Sequence, residues 1–279
     1  MKLTSNIVRK ENTTIVSFAA LKGGKQEQKI KLTKDGEVKK TKNNKEAGKS
    51  SEVFALKSEE EINAILEVLN RKIADAIAKV EETNGEKPMP IKQKRNAYRN
   101  KLVWLIGMNV GIRASDLLVL KWSFFFDMNE DNSLEWHPYY SLQPQKQRKQ
   151  HKFVKLYFNQ TVKKAIEDYL EMYPITKAEL DSYIFTNDKG NHITTQQLWN
   201  VICDTAEEAG LVQNVGTHTL RKTWGFHCWH NAKDKDKALI ILQKCFEHSS
   251  PQTTLRYIGI LDSEIEDMYN SIELGLQDM

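Results

Sequence analysis

The most informative segment of the chain runs from residue 246 to residue 258 and reads FEHSSPQTTLRYI. Either Ser249 or Ser250 can cap a helix here, because a serine hydroxyl accepts from the free backbone N–H groups at a helix start. Pro251 then falls in the first helical turn, where its missing N–H costs nothing. A helix from this point places Tyr257 about two turns along. Taken alone, such a tyrosine is more often a core residue than a nucleophile.

Two segments upstream carry further candidate residues. The sequence HTLR places His218 and Arg221 three positions apart, so they share one face of a helix and can reach one phosphate. The sequence GIRASDLL, residues 111–118, places Arg113 at a turn between two helices, with Asp116 three residues later. Each pattern alone is more often structural, since charge-paired residues are common on protein surfaces.

A basic turn, QKQRKQHK, spans residues 145–152. The flanking residues, within 122–158, are rich in aromatic and β-branched side chains and predict a small antiparallel sheet. A hairpin tip with this composition can enter a DNA groove or deliver an ammonium group to a phosphate. Lys and Gln are also ordinary turn residues, so this segment alone is weak evidence.

In this order along the chain, the segments resemble the tyrosine recombinase (phage integrase) family. Residues 111–117 resemble the family's Gly-x-Arg-x-x-Glu-Leu motif, residues 218–221 its His-x-Leu-Arg box, and residues 247–257 its Gly-His-Ser-Ser…Tyr box. The resemblance covers roughly residues 55 to 270. It implies a mainly α fold with a small antiparallel β-sheet (α+β), the DNA breaking-rejoining catalytic domain of this family.

The resemblance also implies a reaction. In the family a tyrosine hydroxyl attacks a DNA phosphodiester, which gives a 3′-phosphotyrosine and a free 5′-hydroxyl. The implied nucleophile is Tyr257, and His218 would assist its proton transfer. Arg113, Arg221 and His248 would stabilise the phosphate charge, and Lys146 would protonate the 5′-oxygen. Asp116 would support the site by orienting His218 or by bracing an arginine.

Partners and cofactors follow from the same resemblance. It implies no metal and no ATP, because two guanidinium groups and an imidazole supply the positive charge and the phosphotyrosine conserves the bond energy. The implied partners are double-stranded DNA, a homotetramer on DNA and an accessory DNA-binding protein. Integration, excision and inversion all remain open as outcomes. The predicted DNA-contacting residues are Arg148, Lys149, Lys152 and Lys222.

The chain departs from the family pattern at several positions. Asp116 stands where the motif has Glu, with the same charge on a shorter side chain. Glu247 stands where the family usually has Gly, so it either lowers activity at the phosphate site or points outward. The resemblance implies Lys146 as the first choice for the catalytic lysine and Lys149 as the second.

Helical patterns dominate the chain after residue 55. A capping box of Ser58 and Glu61 begins the first helix, which Gly85, Pro88 and Pro90 are predicted to end. Further helices are predicted at residues 93–110, 115–121, 160–173, 195–209, 217–231, 235–246, 250–258 and 262–275. The predicted organisation is a basic N-terminal arm and linker at 1–55, without a full core-binding domain, and a catalytic domain at 56–279 that includes the C-terminal tail helix.

The N-terminal residues differ from the rest in pattern and charge. Residues 14–18 and 29–32 are predicted to be two short strands, and residues 34–51 a linker. Residues 1–50 carry 13 Lys/Arg and 5 Asp/Glu, which leaves 28 and 32 for the remainder. A basic arm before a mildly acidic body is typical of nucleic-acid binding or of a solvated tail.

Composition indicates where the protein works. The mean hydropathy is −0.58, and no window approaches the length of a membrane-spanning apolar helix. Three widely spaced cysteines make a disulfide framework improbable. We therefore expect a cytoplasmic protein, associated with the nucleoid when bound to DNA, and no membrane partner.

Alternative functions stay open at this point. The same fold could serve a DNA-binding regulator without recombination, or a type I topoisomerase-like enzyme that uses a tyrosine. A regulator, however, needs none of the predicted catalytic set. A third alternative is a zinc protein that uses Cys228, His230, Cys245 and His248, although the intervening sequence lacks a zinc-ribbon pattern.

Overall fold

A computed structural model describes residues 52–146 and 153–260 with their side chains, together with residues 265 and 268–271. In residues 1–51 it describes the backbone of four strands. The chain divides into two compact units, residues 1–51 and residues 52–279. The predicted boundary after residue 55 stays a prediction.

The first unit contains a four-stranded antiparallel sheet in chain order. Its strands are β1 (Ser5–Lys10), β2 (Thr13–Phe18), β3 (Ile30–Leu32) and β4 (Val38–Lys39). The two predicted strands correspond to β2 and β3 and are confirmed. Strand β4 lies inside the predicted linker, where it pairs with β3 through Leu32 opposite Val38.

The second unit begins with two long helices. Helix α1 (Glu59–Glu82) starts with the predicted capping box, in which Ser58 and Glu61 satisfy each other's backbone N–H groups. Helix α2 spans Pro88–Val110. The prediction that Pro88 and Pro90 terminate the first helix is wrong in part: they form the first turn of α2, where a missing N–H removes no intrahelical hydrogen bond.

A short helix and two hairpins follow. Helix α3 (Ala114–Leu117) is shorter than predicted and leads into a single 3₁₀ turn. Strands β5 (Phe126–Met128) and β6 (Leu134–Trp136) form one ribbon, and β7 (Tyr140–Leu142) and β8 (Val154–Leu156) form another. The predicted single small sheet is instead two separate ribbons among the described strands. Pro138 lies in the connection between them and cannot donate a backbone hydrogen bond.

Five helices complete the described unit: α4 (Gln160–Met172), α5 (Thr195–Glu208), α6 (Thr217–His230), α7 (Lys235–Phe246) and α8 (Pro251–Ile258). All five correspond to predicted helices. Of the predicted tail helix, residues 265 and 268–270 are helical, and its other residues lie outside the described part. None of the helices in the described residues is long and apolar enough to span a membrane.

Two apolar clusters hold the second unit together. The larger one contains fully buried Trp104, Phe125, Phe126 and Phe185, and it packs α2 against α4, α6 and the hairpins. The smaller one joins α6, α7 and α8 through Ala55, Phe226, Leu242, Phe246, Ile258 and Ile260. Because α6 and α8 carry the predicted HTLR and tyrosine residues, this smaller cluster fixes their relative positions.

Candidate active site

Arg221 lies at the centre of the site, on the buried face of α6. It is only 7% exposed, and its guanidinium donates to the carbonyl of Gly111 at 2.6 Å and to that of Cys245 at 3.2 Å. The ring of Phe246 lies 4.7 Å from its Cζ atom. Burial lowers the pKa of Arg221, but a guanidinium stays charged at any working pH. Arg221 is therefore a fixed positive charge that links three segments of the chain.

The turn before α3 is shaped by Gly111. This residue caps α2 with φ of +63°, a left-handed conformation that favours glycine. A Cβ atom here would also lie 2.1 Å from the Trp224 ring. Gly111 thus allows both the turn that presents Arg113 and the close approach of α6.

Glu247 points into the site rather than outward. Its carboxylate oxygen Oε2 lies 2.7 Å from Nη2 of Arg113, and both side chains are about a quarter exposed. Glu247 also has φ of +63°, in the left-handed region that a non-glycine residue adopts at a cost. The carboxylate therefore occupies the guanidinium that the sequence assigns to a DNA phosphate.

We expect Glu247→Gly to raise the single-turnover rate of DNA cleavage about threefold to tenfold. In this variant the DNA phosphate no longer has to displace the carboxylate from Arg113, an ion pair that contributes about 1 kcal/mol. The free energy of unfolding should change by less than about 1 kcal/mol, since relief of the left-handed backbone offsets the lost ion pair. Glu247→Gln is the matched control, because it removes the charge and keeps the backbone strain. If both variants cleave no faster than wild type, Glu247 does not compete with DNA.

Tyr257 lies on α8, which Ser250 caps by accepting from Thr253 N. Its hydroxyl is 3.1 Å from Nδ1 of His218, and its ring centroid is 5.0 Å from those of His248 and Phe246. Burial raises the pKa of Tyr257, and the nearby charges of Arg221 and Arg113 oppose this shift. The hydroxyl is thus a protonated group next to a potential base and a fixed cation.

His218 has the properties of that base. Partial burial of the ring is the largest cause that lowers the pKa of His218, and the charges of Arg221 and Lys222 lower it further. The imidazole is therefore neutral at neutral pH, and its Nδ1 can accept the Tyr257 proton.

His248 also lies against the ring of Tyr257. Its Nδ1 atom is 3.1 Å from the hydroxyl of the buried Thr254. Burial and the nearby charges of Arg221 and Arg113 lower the pKa of His248. With Nδ1 occupied by Thr254, Nε2 is the ring nitrogen left to contact a ligand.

Asp116 positions the segment that precedes Lys146. It is 2% exposed, and its Oδ1 accepts from Gln145 N at 2.8 Å, while the Gln145 side chain donates to Ser115 O. Its charge also favours the ionised form of Arg221. Lys146 itself is exposed, and its charge contributes to the lowered pKa of His218. These contacts place Lys146 at the same site as the histidines and arginines.

We expect Asp116→Ala to reduce DNA cleavage about 10²-fold, because Lys146 loses its anchored neighbour and small displacements of catalytic groups are costly. Asp116→Asn should lose much less, since an amide oxygen can still accept from Gln145 N. When sulfur replaces the 5′-bridging oxygen of the substrate, the leaving group needs no proton. Such a substrate should restore much of the cleavage rate that Asp116→Ala loses. Absence of this rescue would contradict a role through Lys146.

Of the four predicted DNA-contacting residues, the structure describes only Lys222. Arg148, Lys149 and Lys152 lie outside the described residues, so the choice of Lys146 over Lys149 stays a prediction. Lys222 differs from the surface contact expected of it: it is 6% exposed and its Nζ lies 3.2 Å from Glu52 Oε1. Its predicted contact with DNA stays a prediction.

Several supporting residues were not predicted. Gln145, Thr254 and Glu52 act through partners that are distant in sequence or that carry no motif. The capping pattern around Ser250 could have suggested Thr254, because position four of that helix turns inward. As for the zinc alternative, no three His, Cys, Asp or Glu side chains among the described residues converge into a group that could hold a metal ion, and this covers Cys228, His230, Cys245 and His248.

Comparison with known proteins identifies the family. Residues 58–264 match the model of the phage integrase family. The chain belongs to this family. It is 31% identical over 164 residues to the probable integrase/recombinase YoeC of Bacillus subtilis, covering 58% of this chain and 78% of that protein. It is 25% identical to the tyrosine recombinase XerD of Staphylococcus saprophyticus, over 72% of this chain and 63% of that protein.

Solved structures of recombinases support the predicted fold. The XerA recombinase matches with a TM-score of 0.51 and 19% identity, over 80% of this chain and 64% of that one. The XerH recombinase in a post-cleavage complex with a difH substrate matches with a TM-score of 0.51 and 18% identity, over 86% and 58%. The predicted family and fold class are confirmed. The chain spans less than two thirds of these Xer proteins.

Proposed function

We propose that this chain is a site-specific DNA recombinase that cleaves and rejoins DNA through a 3′-phosphotyrosine intermediate. The observation that carries the proposal is the 3.1 Å distance between the Tyr257 hydroxyl and Nδ1 of His218, beside the buried guanidinium of Arg221. A nucleophile, its base and an electrophilic stabiliser within reach of one another are what phosphoryl transfer requires.

The first step is attack of Tyr257 Oη on the scissile phosphorus. His218 accepts the hydroxyl proton as the new P–O bond forms. Arg113 and Arg221 hold the non-bridging oxygens, and their charge is most valuable as negative charge builds up in the transition state. His248 donates a hydrogen bond to the same phosphate. Glu247 must release Arg113 for this step.

The second part of the reaction concerns the leaving oxygen. Lys146 donates a proton to the 5′-oxygen as the original P–O bond breaks, which gives a free 5′-hydroxyl. Rejoining runs the same sequence in reverse, with a 5′-hydroxyl attacking the phosphotyrosine and Tyr257 recovering its proton. One phosphodiester is exchanged for another, so no external energy source is needed.

The proposal includes partners beyond one DNA duplex. We propose a homotetramer on two duplexes, in which the predicted tail helix at 262–275 docks on a neighbouring subunit, and an accessory DNA-binding protein that aids site selection. Residues 1–55 act as a basic arm on the DNA backbone, together with Arg148, Lys149 and Lys152. The reaction takes place on nucleoid DNA in the cytoplasm.

A non-recombining DNA-binding regulator is the weaker alternative. Binding alone does not require a tyrosine hydroxyl paired with a neutral histidine, nor a guanidinium held rigidly by two backbone carbonyls. A topoisomerase-like activity shares the chemistry, but the family match favours recombination.

The decisive test is trapping of the covalent intermediate. The protein is expressed in bacteria and lysed in strong detergent, and DNA that remains attached to it is sequenced to find the cleavage site. A nicked oligonucleotide of that sequence, which on cleavage releases the short downstream fragment that carries the new 5′-hydroxyl, then traps the adduct in vitro. We expect peptide mapping to find the 3′-phosphate of DNA on Tyr257 and a 5′-hydroxyl on the released fragment.

A matched control uses Tyr157→Phe, which removes an exposed hydroxyl from another tyrosine outside the proposed site. This variant should trap as much DNA as wild type. A 5′-phosphotyrosyl linkage, an adduct on a different residue, or specific DNA binding without any adduct on a nicked specific site would contradict the proposal.

A further inference from the structure

An extended segment, residues 52–57, lies against the helix that carries the HTLR box. Leu56 N donates to the Thr223 hydroxyl at 2.9 Å, and Nε2 of His227 lies 3.0 Å from the Leu56 carbonyl. The neighbouring Lys57 donates to the carbonyl of Gly259, the residue that ends α8. This segment is therefore anchored both to α6 and to the end of the helix that carries the tyrosine.

Lys222 is a buried cation between this segment and the tyrosine. Its side chain is 8% exposed, and its Nζ lies 3.2 Å from Oε1 of Glu52, whose own side chain is 55% exposed. On the other side, Nζ lies 5.1 Å from the centroid of the Tyr257 ring. Burying an ammonium group is costly, so a lysine kept here needs a reason beyond packing.

The position of the ammonium favours negative charge on the ring. A cation on the face of an aromatic ring is attracted to its π-electrons, and the attraction grows when the phenol loses its proton because the charge spreads into the ring. The Glu52 carboxylate is screened by water, whereas the ammonium is not, so the field at the ring keeps a positive sign.

We propose that Lys222, held in place by Glu52, is a positioning residue for the nucleophile: it fixes the ring of Tyr257 and stabilises the phenolate that forms during attack. The inference rests on the proposed function, in that Tyr257 is the nucleophile there. It assigns Lys222 to the chemistry of the tyrosine instead of to the DNA surface.

Other charged and titratable groups also face Tyr257. From α6 these are His218 at the hydroxyl and Arg221 on the same helix; from the α7–α8 turn it is His248; Arg113 acts from the start of α3. They remain in place when Lys222 is replaced. A change that follows the loss of the lysine charge can thus be assigned to that charge.

The test uses the full chain labelled with 3-fluorotyrosine and three variants. Lys222→Met keeps the volume and removes the charge, and Lys222→Arg keeps the charge. Lys235→Met is the matched control, because Lys235 lies 4.7 Å from the Trp229 ring in the same kind of contact away from the site. Fluorine NMR titration reads the pKa of Tyr257, whose resonance is assigned as the one missing in Tyr257→Phe.

We expect the pKa of Tyr257 to be about one unit higher in Lys222→Met than in wild type, and unchanged in Lys235→Met. One unit corresponds to about a tenfold smaller phenolate fraction. Single-turnover cleavage by unlabelled Lys222→Met should fall about tenfold at neutral pH. Fluorotyrosine lowers the phenol pKa, so labelling should restore part of this loss, and Lys222→Arg should retain most of the wild-type rate.

An identical pKa of Tyr257 in wild type and Lys222→Met would overturn the inference, and so would a cleavage defect that fluorotyrosine does not reduce. Thermal unfolding is measured on each variant, and Lys222→Gln replaces Lys222→Met if the latter does not fold. The NMR titration needs no DNA. Failure of wild-type protein to form the adduct contradicts the proposed function, whereas an unchanged titration contradicts only the role of Lys222.

Discussion

Tyr257→Phe is expected to abolish the covalent protein–DNA adduct while leaving the fold intact. The substitution removes one oxygen atom, which is the proposed nucleophile, and keeps the ring that packs against Phe246 and His248. Removal of a catalytic nucleophile typically costs several powers of ten, so we expect single-turnover cleavage to fall by at least about 10⁴-fold. The loss of the hydrogen bond to His218 should change the free energy of unfolding by about 1 kcal/mol.

The measurement for this variant separates binding from chemistry. Its affinity for the cleavage-site DNA, measured at a fixed salt concentration, should stay within a few-fold of wild type, because phosphate contacts by the basic residues remain. Cleavage is followed on the nicked oligonucleotide. Residual adduct at more than a hundredth of the wild-type amount would mean that another residue is the nucleophile.

The helices could be predicted because their signals are local. The Ser58 capping box and the Ser250–Pro251 start each lie within a few residues of the helix that they begin. The same locality explains the error at Pro88, since a proline that ends one helix and a proline that begins the next give the same pattern. Only the structure distinguishes them, through the position of α2 against α1.

The order of the motifs predicts a set of candidate site residues, but it does not predict the contacts between them. Arg221 contacts the carbonyl of Gly111 across 110 positions, and Asp116 contacts Gln145 across 29. Such contacts depend on how the helices pack, which no local pattern records. The sequence identifies Glu247 as a departure from the family pattern, but only its geometry reveals the ion pair with Arg113.

The second large effect is expected for Arg221→Ala. We expect single-turnover cleavage to fall by about 10³-fold or more, because a fixed guanidinium at a developing phosphate charge is among the largest single contributions to such reactions. The variant should also unfold more easily by about 1–3 kcal/mol, since the carbonyls of Gly111 and Cys245 lose a buried donor.

Arg221→Lys divides these two roles. A lysine keeps one positive charge but cannot donate to both carbonyls in the planar geometry of a guanidinium, so we expect partial recovery of cleavage and little recovery of stability. Arg71→Ala is the control, because Arg71 is an exposed arginine paired with Glu208 away from the site. Thermal unfolding and single-turnover kinetics are measured on the same preparations. If Arg221→Ala lost stability but cleaved at the wild-type rate below its unfolding temperature, Arg221 would be a structural link between α2, α6 and α7, and the electrostatic argument for the site would fail.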